Sequence, residues 1–373
     1  MDRSLEELVD RDLQKKMVLV TGPRQVGKTW LAARIAERYR TPAYLNYDSF
    51  DDRNIIESRS WYEKTDLLVL DEIHKMDGWK NYLKGVYDTR PEGMRILVTG
   101  SARLDTFRRG GDSMAGRYFL HRLMPFSLAE LAKTPMARDL DRLLERGGFP
   151  EPLLSESRVD AERWRLQYVD SLIRSDVLDL GRVAEIRRME LLVELLRRST
   201  GSLLSYNSIA RSLNISPPTA RSYVEILEAL FIVFRVTPYS KDIARSLLKS
   251  PKLYFYDSGM VLGDDGARLE NTAAVSLLKD VTARTDEKGL RHTLHYLRTK
   301  EGREVDFCVC EQGRPFHMIE VKLGDPQVSP SLRYFHERYG ISATQIVKRL
   351  RRPRTVDGIH VLPAAGFLEQ LFR

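Results

Sequence analysis

Short apolar runs alternate with helical patterns over the first third of the chain. The runs M-V-L-V at 17–20, L-L-V-L at 67–70 and I-L-V at 96–98 are typical of strands buried on both faces of a sheet. A helix is predicted over residues 4–16, with Ser4 as its cap. Strands separated by helices predict an α/β fold with a parallel sheet, whose ligands bind at the carboxyl ends of the strands.

The first apolar run leads into a glycine-bounded loop and then a helical pattern. This order of strand, loop and helix is typical of a phosphate-binding P-loop. Its residues are Gly22, Pro23, Arg24, Gln25, Val26, Gly27, Lys28 and Thr29. Glycines let main-chain N–H groups approach phosphate oxygens, and the following helix adds its positive N-terminal end. Lys28 is placed to reach the β- and γ-phosphates and Thr29 to ligate Mg²⁺, so we predict ATP and Mg²⁺ as cofactors.

The run at 67–70 ends in two adjacent carboxylates, Asp71 and Glu72. A buried strand that ends in this way is typical of a Walker B segment. We expect Asp71 to hold the Mg²⁺ shell and Glu72 to orient the attacking water. An acidic helix cap after a strand has the same appearance, and the upstream P-loop favours the Walker B interpretation.

A hydroxyl at the end of the next strand is a candidate sensor of the γ-phosphate. Thr99 and Ser101 both follow the apolar run at 96–98, and Ser101 is slightly preferred. Simple hydrogen bonding at the end of the strand is the alternative.

Two helices and a strand are predicted in the middle of the chain. Residues 205–213 and 217–230 have helical patterns around a short turn, and F-I-V-F-R-V at 231–236 follows as a strand. This order fits a winged helix-turn-helix, whose second helix enters a DNA groove or serves in subunit packing. A basic wing keeps DNA in consideration and contains Arg235, Lys241, Arg245, Lys249 and Lys252.

A second group of candidate functional residues, three carboxylates and a lysine, lies further along the chain. Glu270 is in a helical pattern, Asp306 is in one predicted strand, and Glu320 and Lys322 share one face of the next. The spacing D-x13-E-x-K resembles the restriction-endonuclease-like nucleases, in which such carboxylates hold a divalent ion and the lysine steadies the attacking water. Alternating charges on the solvent face of a hairpin are the alternative, and the fold does not by itself imply cutting.

Several motifs together resemble one family of proteins. They are G-P-R-Q-V-G-K-T, L-D-E-I, V-T-G-S-A-R-L, A-G-R-Y and G-G-F-P-E. The set is similar to the prokaryotic AAA-type ATPases that carry a C-terminal domain of unknown function. The resemblance implies an AAA+ core that self-associates, for example as a hexameric ring.

In such assemblies an arginine of the neighbouring subunit completes the ATP site. Arg117 in A-G-R-Y matches that position best, and its rivals are Arg103, Arg108 and Arg109. The helical region that follows resembles a small lid, from which Arg165 or Arg174 would reach the phosphates.

These patterns predict four regions. Residues 1–125 form the ATPase core, 126–180 a helical lid, 181–257 a winged helix-turn-helix and 258–373 a restriction-endonuclease-like α/β domain.

Composition adds little to this picture. The net charge of +8 favours an anionic partner such as DNA only slightly. The only cysteines are Cys308 and Cys310, which indicates a reduced, cytoplasmic protein. The sequence contains no run of eighteen apolar residues, so no membrane span is predicted.

Three functional hypotheses follow. The first is an ATPase that couples hydrolysis to the binding or remodelling of DNA, including branched DNA. The second is an ATP-licensed, structure-selective nuclease, and the third is a nucleotide-gated regulator that binds a protein.

Overall fold

The chain divides into two units, one that ends at Met124 and one that begins at Pro125. The computed structural model describes the residues 2–100, 114–132, 134–177, 183–240, 250–325 and 327–372. The sequence predicts four regions, which divide the chain more finely than these two units do. Their internal boundaries stay predictions.

The first unit is built on a parallel sheet of five strands. The strands are β1 Met17–Thr21, β2 Pro42–Asn46, β3 Leu67–Asp71, β4 Arg95–Thr99 and β5 Tyr118–Arg122. Their order is β2-β3-β4-β1-β5, and every neighbouring pair is parallel. All residues of β1 and β3 are buried, as their apolar runs predict. The α/β prediction is confirmed, and the carboxyl ends of β1 and β3 come to the same edge.

Outside the gap at 101–113, four α-helices accompany this sheet. They are α1 Leu5–Leu13, α2 Lys28–Ala36, α3 Phe50–Ser58 and α4 Trp79–Thr89. The predicted first helix exists, but its predicted cap is wrong. Ser4 has helical dihedrals, φ −55° and ψ −24°, and its side chain makes no capping hydrogen bond. A cap residue needs an extended backbone for its side chain to turn back to the first N–H groups.

The second unit begins with seven helices among the residues described. They are α5 Leu128–Leu131, α6 Leu140–Arg146, α7 Pro150–Leu154, α8 Arg158–Val177, α9 Val183–Arg198, α10 Tyr206–Leu213 and α11 Pro217–Ala229. Asn214 ends α10 in the left-handed conformation, and the Ser216 side chain caps α11 by accepting from Thr219 N. The two helices predicted around this turn are therefore confirmed.

An eight-stranded mixed sheet forms the remainder of the second unit. Its strands are β6 Val233–Pro238, β7 Lys252–Phe255, β8 His292–Arg298, β9 Glu304–Glu311, β10 Arg314–Lys322, β11 Ser342–Val347, β12 Arg354–Val356 and β13 Ile359–Pro363. The order is β12-β13-β11-β10-β9-β8-β6-β7. The described residues of this part form three α-helices, α12 Asp265–Lys288, α13 Pro330–Tyr339 and α14 Ala364–Leu368. The boundary predicted at residue 257 thus separates strands that the structure joins in one sheet.

No helix within the described ranges has the length and apolar character that a membrane crossing requires.

The G-G-F-P-E segment holds α6 against the turn that follows β7. The Arg165 Nε of α8 donates to Asp257 Oδ2 over 2.7 Å, and both side chains are buried. Gly147 has φ +69°, and a Cβ at this position would overlap Asp257 Oδ1. A Cβ on the adjacent Gly148 would lie 2.5 Å from the carbonyl oxygen of Phe126, and the Gly148 carbonyl accepts from Phe126 N over 2.7 Å. The glycine pair is required by close packing around a buried ion pair.

We expect Gly147→Ala to destabilise the second unit more than Gly289→Ala does. Both glycines have positive φ, +69° and +67°. Gly289 is in the left-handed helical region, where alanine carries about 1–2 kcal/mol of strain, whereas Gly147 has ψ −174°, a conformation that almost only glycine adopts, so its alanine is strained at least as much. Only Gly147 would also meet Asp257, whereas a Cβ on Gly289 meets nothing within 4 Å. The added overlap should cost about 1–3 kcal/mol more in urea unfolding. Equal losses for the two variants would contradict this account of the packing.

Candidate functional site

The loop between β1 and α2 has the backbone that a P-loop requires. Gly22 has φ +149° and Gly27 has φ +101°, conformations that other residues rarely adopt. A Cβ on Gly22 would also overlap the carbonyl oxygen of Leu123. Gln25 lies between them with φ +58°. The loop is therefore folded tightly at the N-terminus of α2, where main-chain N–H groups and the helix dipole favour an anion.

Lys28 lies inside this loop. Its Nζ donates to the carbonyl oxygens of Gly22 and Pro23, at 3.0 and 2.6 Å, and its side chain is buried. Burial lowers the pKa of Lys28 to about 8, although the charges of Glu72 and Asp71 act in the opposite direction. A poorly hydrated ammonium is a strong partner for a phosphate, because little solvent has to be displaced.

Three hydroxyl groups hold the Asp71 carboxylate beside the first turn of α2. Thr29 Oγ1 and the Tyr44 hydroxyl donate to Asp71 Oδ2, at 2.9 and 2.7 Å. Thr99 Oγ1 donates to Asp71 Oδ1. Thr99 therefore positions the carboxylate. Tyr44 lies on the neighbouring strand β2, and the sequence analysis missed it because no motif marks that strand.

Thr29 and Asp71 fit a magnesium ion. Hydroxyl and carboxylate oxygens are the hard ligands that Mg²⁺ prefers. Two adjacent ligands of an octahedral Mg²⁺ lie about 2.9 Å apart, given bonds of about 2.0–2.1 Å. The observed separation of Thr29 Oγ1 and Asp71 Oδ2 is 2.9 Å, so both oxygens can belong to one coordination shell.

Glu72 lies at the rim of this site. Its backbone is left-handed with φ +57°, and its N–H donates to Thr99 O over 3.0 Å. Its carboxylate is 3.4 Å from Lys75 Nζ and remains partly exposed. A strained residue directly after a strand is common at functional sites. The carboxylate is held close to the site and is still open to water, as the predicted role requires.

Arg117 lies at the opposite edge of the same sheet. It precedes β5, whose first residue Tyr118 is in register with Met17 at the start of β1. The P-loop follows the end of β1, roughly 16 Å further along the strand. Arg117 forms a bidentate pair with Asp88, at 2.8 and 3.1 Å. This arginine therefore does not face the P-loop of its own chain.

The remaining residues predicted to contact phosphate are Ser101 and five arginines. Ser101, Arg103, Arg108 and Arg109 lie outside the described residues. Arg165 is buried in its pair with Asp257, so its guanidinium is committed to the second unit. Arg174 is exposed and pairs with Asp170 over 2.6 Å.

The second predicted constellation also comes together, on α12, β9 and β10. Lys322 Nζ is 2.8 Å from Glu320 Oε1, and Asp306 Oδ2 accepts from Val321 N over 2.9 Å. Burial and the charge of Asp306 raise the pKa of Glu320 to about 7. The same two causes raise the pKa of Glu270. The hairpin register and the helical glutamate are as predicted.

Lys252 occupies the middle of this carboxylate cluster. Its buried Nζ lies 3.3 Å from Glu270 Oε1, 2.8 Å from Glu304 Oε1 and 3.6 Å from Asp306 Oδ1. The Tyr254 hydroxyl donates to Glu270 Oε1 over 2.7 Å. Although burial opposes its charge, the surrounding carboxylates raise the pKa of Lys252. The Lys252 ammonium thus neutralises Glu270 and Asp306, two of the three carboxylates predicted to hold a metal, and Lys322 pairs with the third, Glu320.

The carboxylate cluster does not fit a divalent ion. Within the part of the chain that the structure describes, no three His, Cys, Asp or Glu side chains are placed to hold a metal. We therefore derive no metal chemistry from Glu270, Asp306 and Glu320.

The predicted basic wing is wrong at two positions. Lys252 is buried in the carboxylate cluster, and Arg235 pairs with Glu228 over 2.5 Å and donates to the Tyr206 hydroxyl over 2.9 Å. Lys241, Arg245 and Lys249 lie outside the described residues. The sequence analysis counted these cations by charge alone, which does not distinguish an inward from an outward side chain on a strand.

Three protein-family models match consecutive parts of the chain. Residues 14–132 match an AAA domain, which contains the whole P-loop site described above. Residues 137–264 and 265–367 match two domains of unknown function. The boundary between the first and second matches lies close to the division between the two units.

Two uncharacterized relatives, one from a bacterium and one from an archaeon, match most of this chain. An uncharacterized protein of Mycobacterium tuberculosis is 28% identical over 334 residues, which cover 85% of this chain and 73% of the relative. An uncharacterized protein of Methanocaldococcus jannaschii is 24% identical and covers 95% of this chain and 83% of the relative.

Similar solved structures are more distant. The Walker-type ATPase PABY2304 of Pyrococcus abyssi has a TM-score of 0.42 at 16% identity, and covers 68% of this chain and 93% of its own. The RuvB Holliday junction branch migration motor of Thermotoga maritima has a TM-score of 0.34 at 16% identity, with 62% and 88% covered. At these TM-scores the likeness carries no conclusion about activity.

We expect ATP binding to weaken as the pH rises through about 8, because the Lys28 ammonium then loses its proton in the free protein. Phosphate favours the charged lysine, so binding near this pH should take up a proton. Calorimetry in two buffers of different ionisation enthalpy measures this uptake. The free protein should gain stability over the same pH range, because its unfolded chain keeps a proton that the folded site releases. ATP binding that weakens above about pH 8, while the protein stays folded, therefore supports Lys28 as the phosphate partner. An affinity for ATP that is independent of pH contradicts this role.

We expect Lys252→Met to destabilise the second unit by about 3–5 kcal/mol, because three half-buried carboxylates lose their common buried cation. Mn²⁺ should recover part of this loss in the variant and leave the wild type unchanged. Thermal unfolding with and without Mn²⁺ measures both effects. Lys288→Met, at an exposed lysine near the end of α12, is the matched control and should change stability by less than about 0.5 kcal/mol. Stabilisation of the wild-type second unit by Mn²⁺ that Asp306→Ala abolishes would show that the cluster does hold a metal.

Proposed function

We propose that this chain, whose first unit is a P-loop ATPase, hydrolyses ATP and couples the turnover to the binding or remodelling of DNA. The observation that carries the ATPase part is the arrangement of Lys28, Thr29 and Asp71. A buried ammonium lies inside the loop, and two hard oxygen ligands lie 2.9 Å apart beside it. The AAA-domain match over residues 14–132 agrees with this chemistry.

Each residue of the site has a role in this proposal. The main-chain N–H groups of residues 22–29 and the N-terminus of α2 bind the phosphates, and Lys28 balances the charge of the β- and γ-phosphates. Thr29 and Asp71 would hold Mg²⁺, which when bound neutralises charge that develops on the phosphates. Glu72 orients and polarises the attacking water. Ser101, which follows β4, is proposed to sense the γ-phosphate.

The position of Arg117 supports an assembly in which copies of the chain complete one another. It lies at the far edge of the sheet from its own P-loop, where the bidentate pair with Asp88 holds it near the surface. An arginine in this place can serve the ATP site of a neighbouring subunit. We therefore propose a homo-oligomer, such as a hexameric ring, with Arg117 as the residue supplied in trans.

DNA is the proposed partner of the second unit. Helices α10 and α11 followed by the hairpin β6–β7 have the element order of a winged helix, and the whole chain is basic. The exposed face of α11 carries Arg221 and Glu225 together, so its charge is balanced. Most contacts to phosphate are therefore expected elsewhere in this unit. The nuclease hypothesis is not proposed, because Lys252 takes the place of the metal.

Mixing two inactive variants tests the proposal most sharply. Lys28→Ala should abolish ATP turnover, and Arg117→Ala should lower it by about a thousandfold or more while ATP still binds. In a mixed assembly some sites have an intact P-loop and an intact neighbouring Arg117, so the mixture should regain part of the activity. Phosphate release measures turnover, and Lys64→Ala and Arg40→Ala, at exposed cations, are the controls.

A mixture that stays inactive, although the two variants associate, would contradict the shared site. Glu72→Gln should bind ATP and lower turnover by about a hundredfold or more. If wild-type turnover is absent, the ATPase proposal fails. If turnover is present but DNA neither binds nor changes it, only the DNA part fails.

A further inference from the structure

Two clefts border α13 in the second unit. The larger, of about 1140 Å³, lies between the C-terminal half of α13, the turn after β8 and the end of β6. The smaller, of about 660 Å³, lies between the N-terminal half of α13 and β12. Both are lined by Tyr334, so they adjoin. We call them together the α13 clefts. Leu332 and Phe335 anchor the helix in the core between them.

Aromatic side chains line the larger cleft. They are Tyr239, Tyr296, Tyr334, Phe335 and Tyr339. Tyr339 is 56% exposed, and its ring stacks on Phe335 with the ring centres 5.9 Å apart. The Arg303 guanidinium lies 4.5 Å from the centre of the Tyr334 ring. Tyr296 and Phe335 are buried, so the aromatic surface that reaches solvent is that of Tyr339 and the half-buried Tyr239 and Tyr334.

The lining of the α13 clefts contains more basic than acidic residues. Their lining contains six basic residues, Arg298, Lys300, Arg303, Arg333, Arg338 and Arg354. It contains two acidic residues, Glu301 and Glu337. Arg298 also pairs with Glu304 over 2.7 Å, and Arg333 pairs with Asp357 over 3.3 Å. With these two partners counted as well, the basic residues still exceed the acidic ones, so the surface favours a polyanion.

We infer that the α13 clefts bind single-stranded nucleic acid, with bases stacked on the tyrosines and phosphates beside the basic side chains. This inference rests on the proposed DNA function and identifies the form of the nucleic acid. Stacking on an aromatic side chain needs a base whose face is free, which a single strand offers and a paired duplex does not. Cations alternating with aromatic rings along one groove are the usual arrangement for such strands. An acidic peptide would use the cations and leave the tyrosines without a role.

Fluorescence anisotropy with a labelled oligothymidylate tests the inference on the full chain. Tyr339→Ala should weaken binding by about fivefold or more, because it removes one stacking partner. Lys300→Ala with Arg338→Ala should weaken binding and lower the slope of log affinity against log salt by about 1.4, at about 0.7 for each phosphate contact. Unlabelled polyglutamate should not compete. Unchanged melting temperatures confirm that the variants are folded.

The matched controls remove the same groups elsewhere. Tyr62→Ala removes a tyrosine that is 61% exposed in the first unit. Arg158→Ala with Arg163→Ala removes two exposed cations from α8. Both controls should bind within twofold of the wild type.

The possible outcomes separate this inference from the broader proposal. If the wild type binds the oligonucleotide and the cleft variants bind as tightly, the inference is wrong and the DNA proposal stands. Equal losses in the cleft and α8 double variants, with no effect of Tyr339→Ala, would indicate diffuse charge attraction and overturn it. Competition by polyglutamate would point to an acidic protein partner. If the wild type does not bind the single strand, the inference is wrong, whereas the DNA proposal fails only if duplex DNA is not bound either.

Discussion

A buried ammonium without a full set of counter-charges is the constraint on which the first unit depends. The Nζ of Lys28 is surrounded by the carbonyl oxygens of its own loop, and burial lowers its pKa to about 8. The protein tolerates this cost because the loop, the helix N-terminus and the sheet edge together form a place for an anion. A triphosphate supplies the negative charge that the loop lacks. The two glycines with positive φ shape the loop around this anion site. The hydroxyls around Asp71 hold its carboxylate beside the first turn of α2.

The second unit contains the opposite case. Lys252 is also buried, but three carboxylates of the protein surround it and raise its pKa. The charge is balanced within the fold, so no ligand is needed. This contrast explains why we infer a ligand site at the P-loop and interpret the carboxylates around Lys252 as part of the fold. A charged group with its partners in place stabilises structure, whereas one that lacks them indicates a binding site.

Local patterns predicted the elements well because each depends on neighbouring residues. The apolar runs of β1, β3 and β4 and the P-loop glycines follow from spacing, and the start of α11 follows from the prolines at 217 and 218. Long-range partners did not follow from the sequence. Lys252, which joins β7 to α12 and β9, was assigned to a basic wing, and the partners of Asp71 on β2 carry no motif. Ser4 shows the same limit at short range, because a capping pattern does not fix its backbone dihedrals.

Hydrogen–deuterium exchange on the intact protein tests the central claim most directly, because it reports on the main-chain amides of the loop. Addition of ATP with magnesium should slow exchange in peptides that span residues 22–29, with a smaller effect around Asp71 and Glu72. Exchange in the strands β8 to β10 around Lys252 should stay the same, because these strands are not expected to contact the nucleotide. Exchange in the loop that stays the same at saturating nucleotide would contradict the account, because the phosphates would then be bound by other groups or not at all.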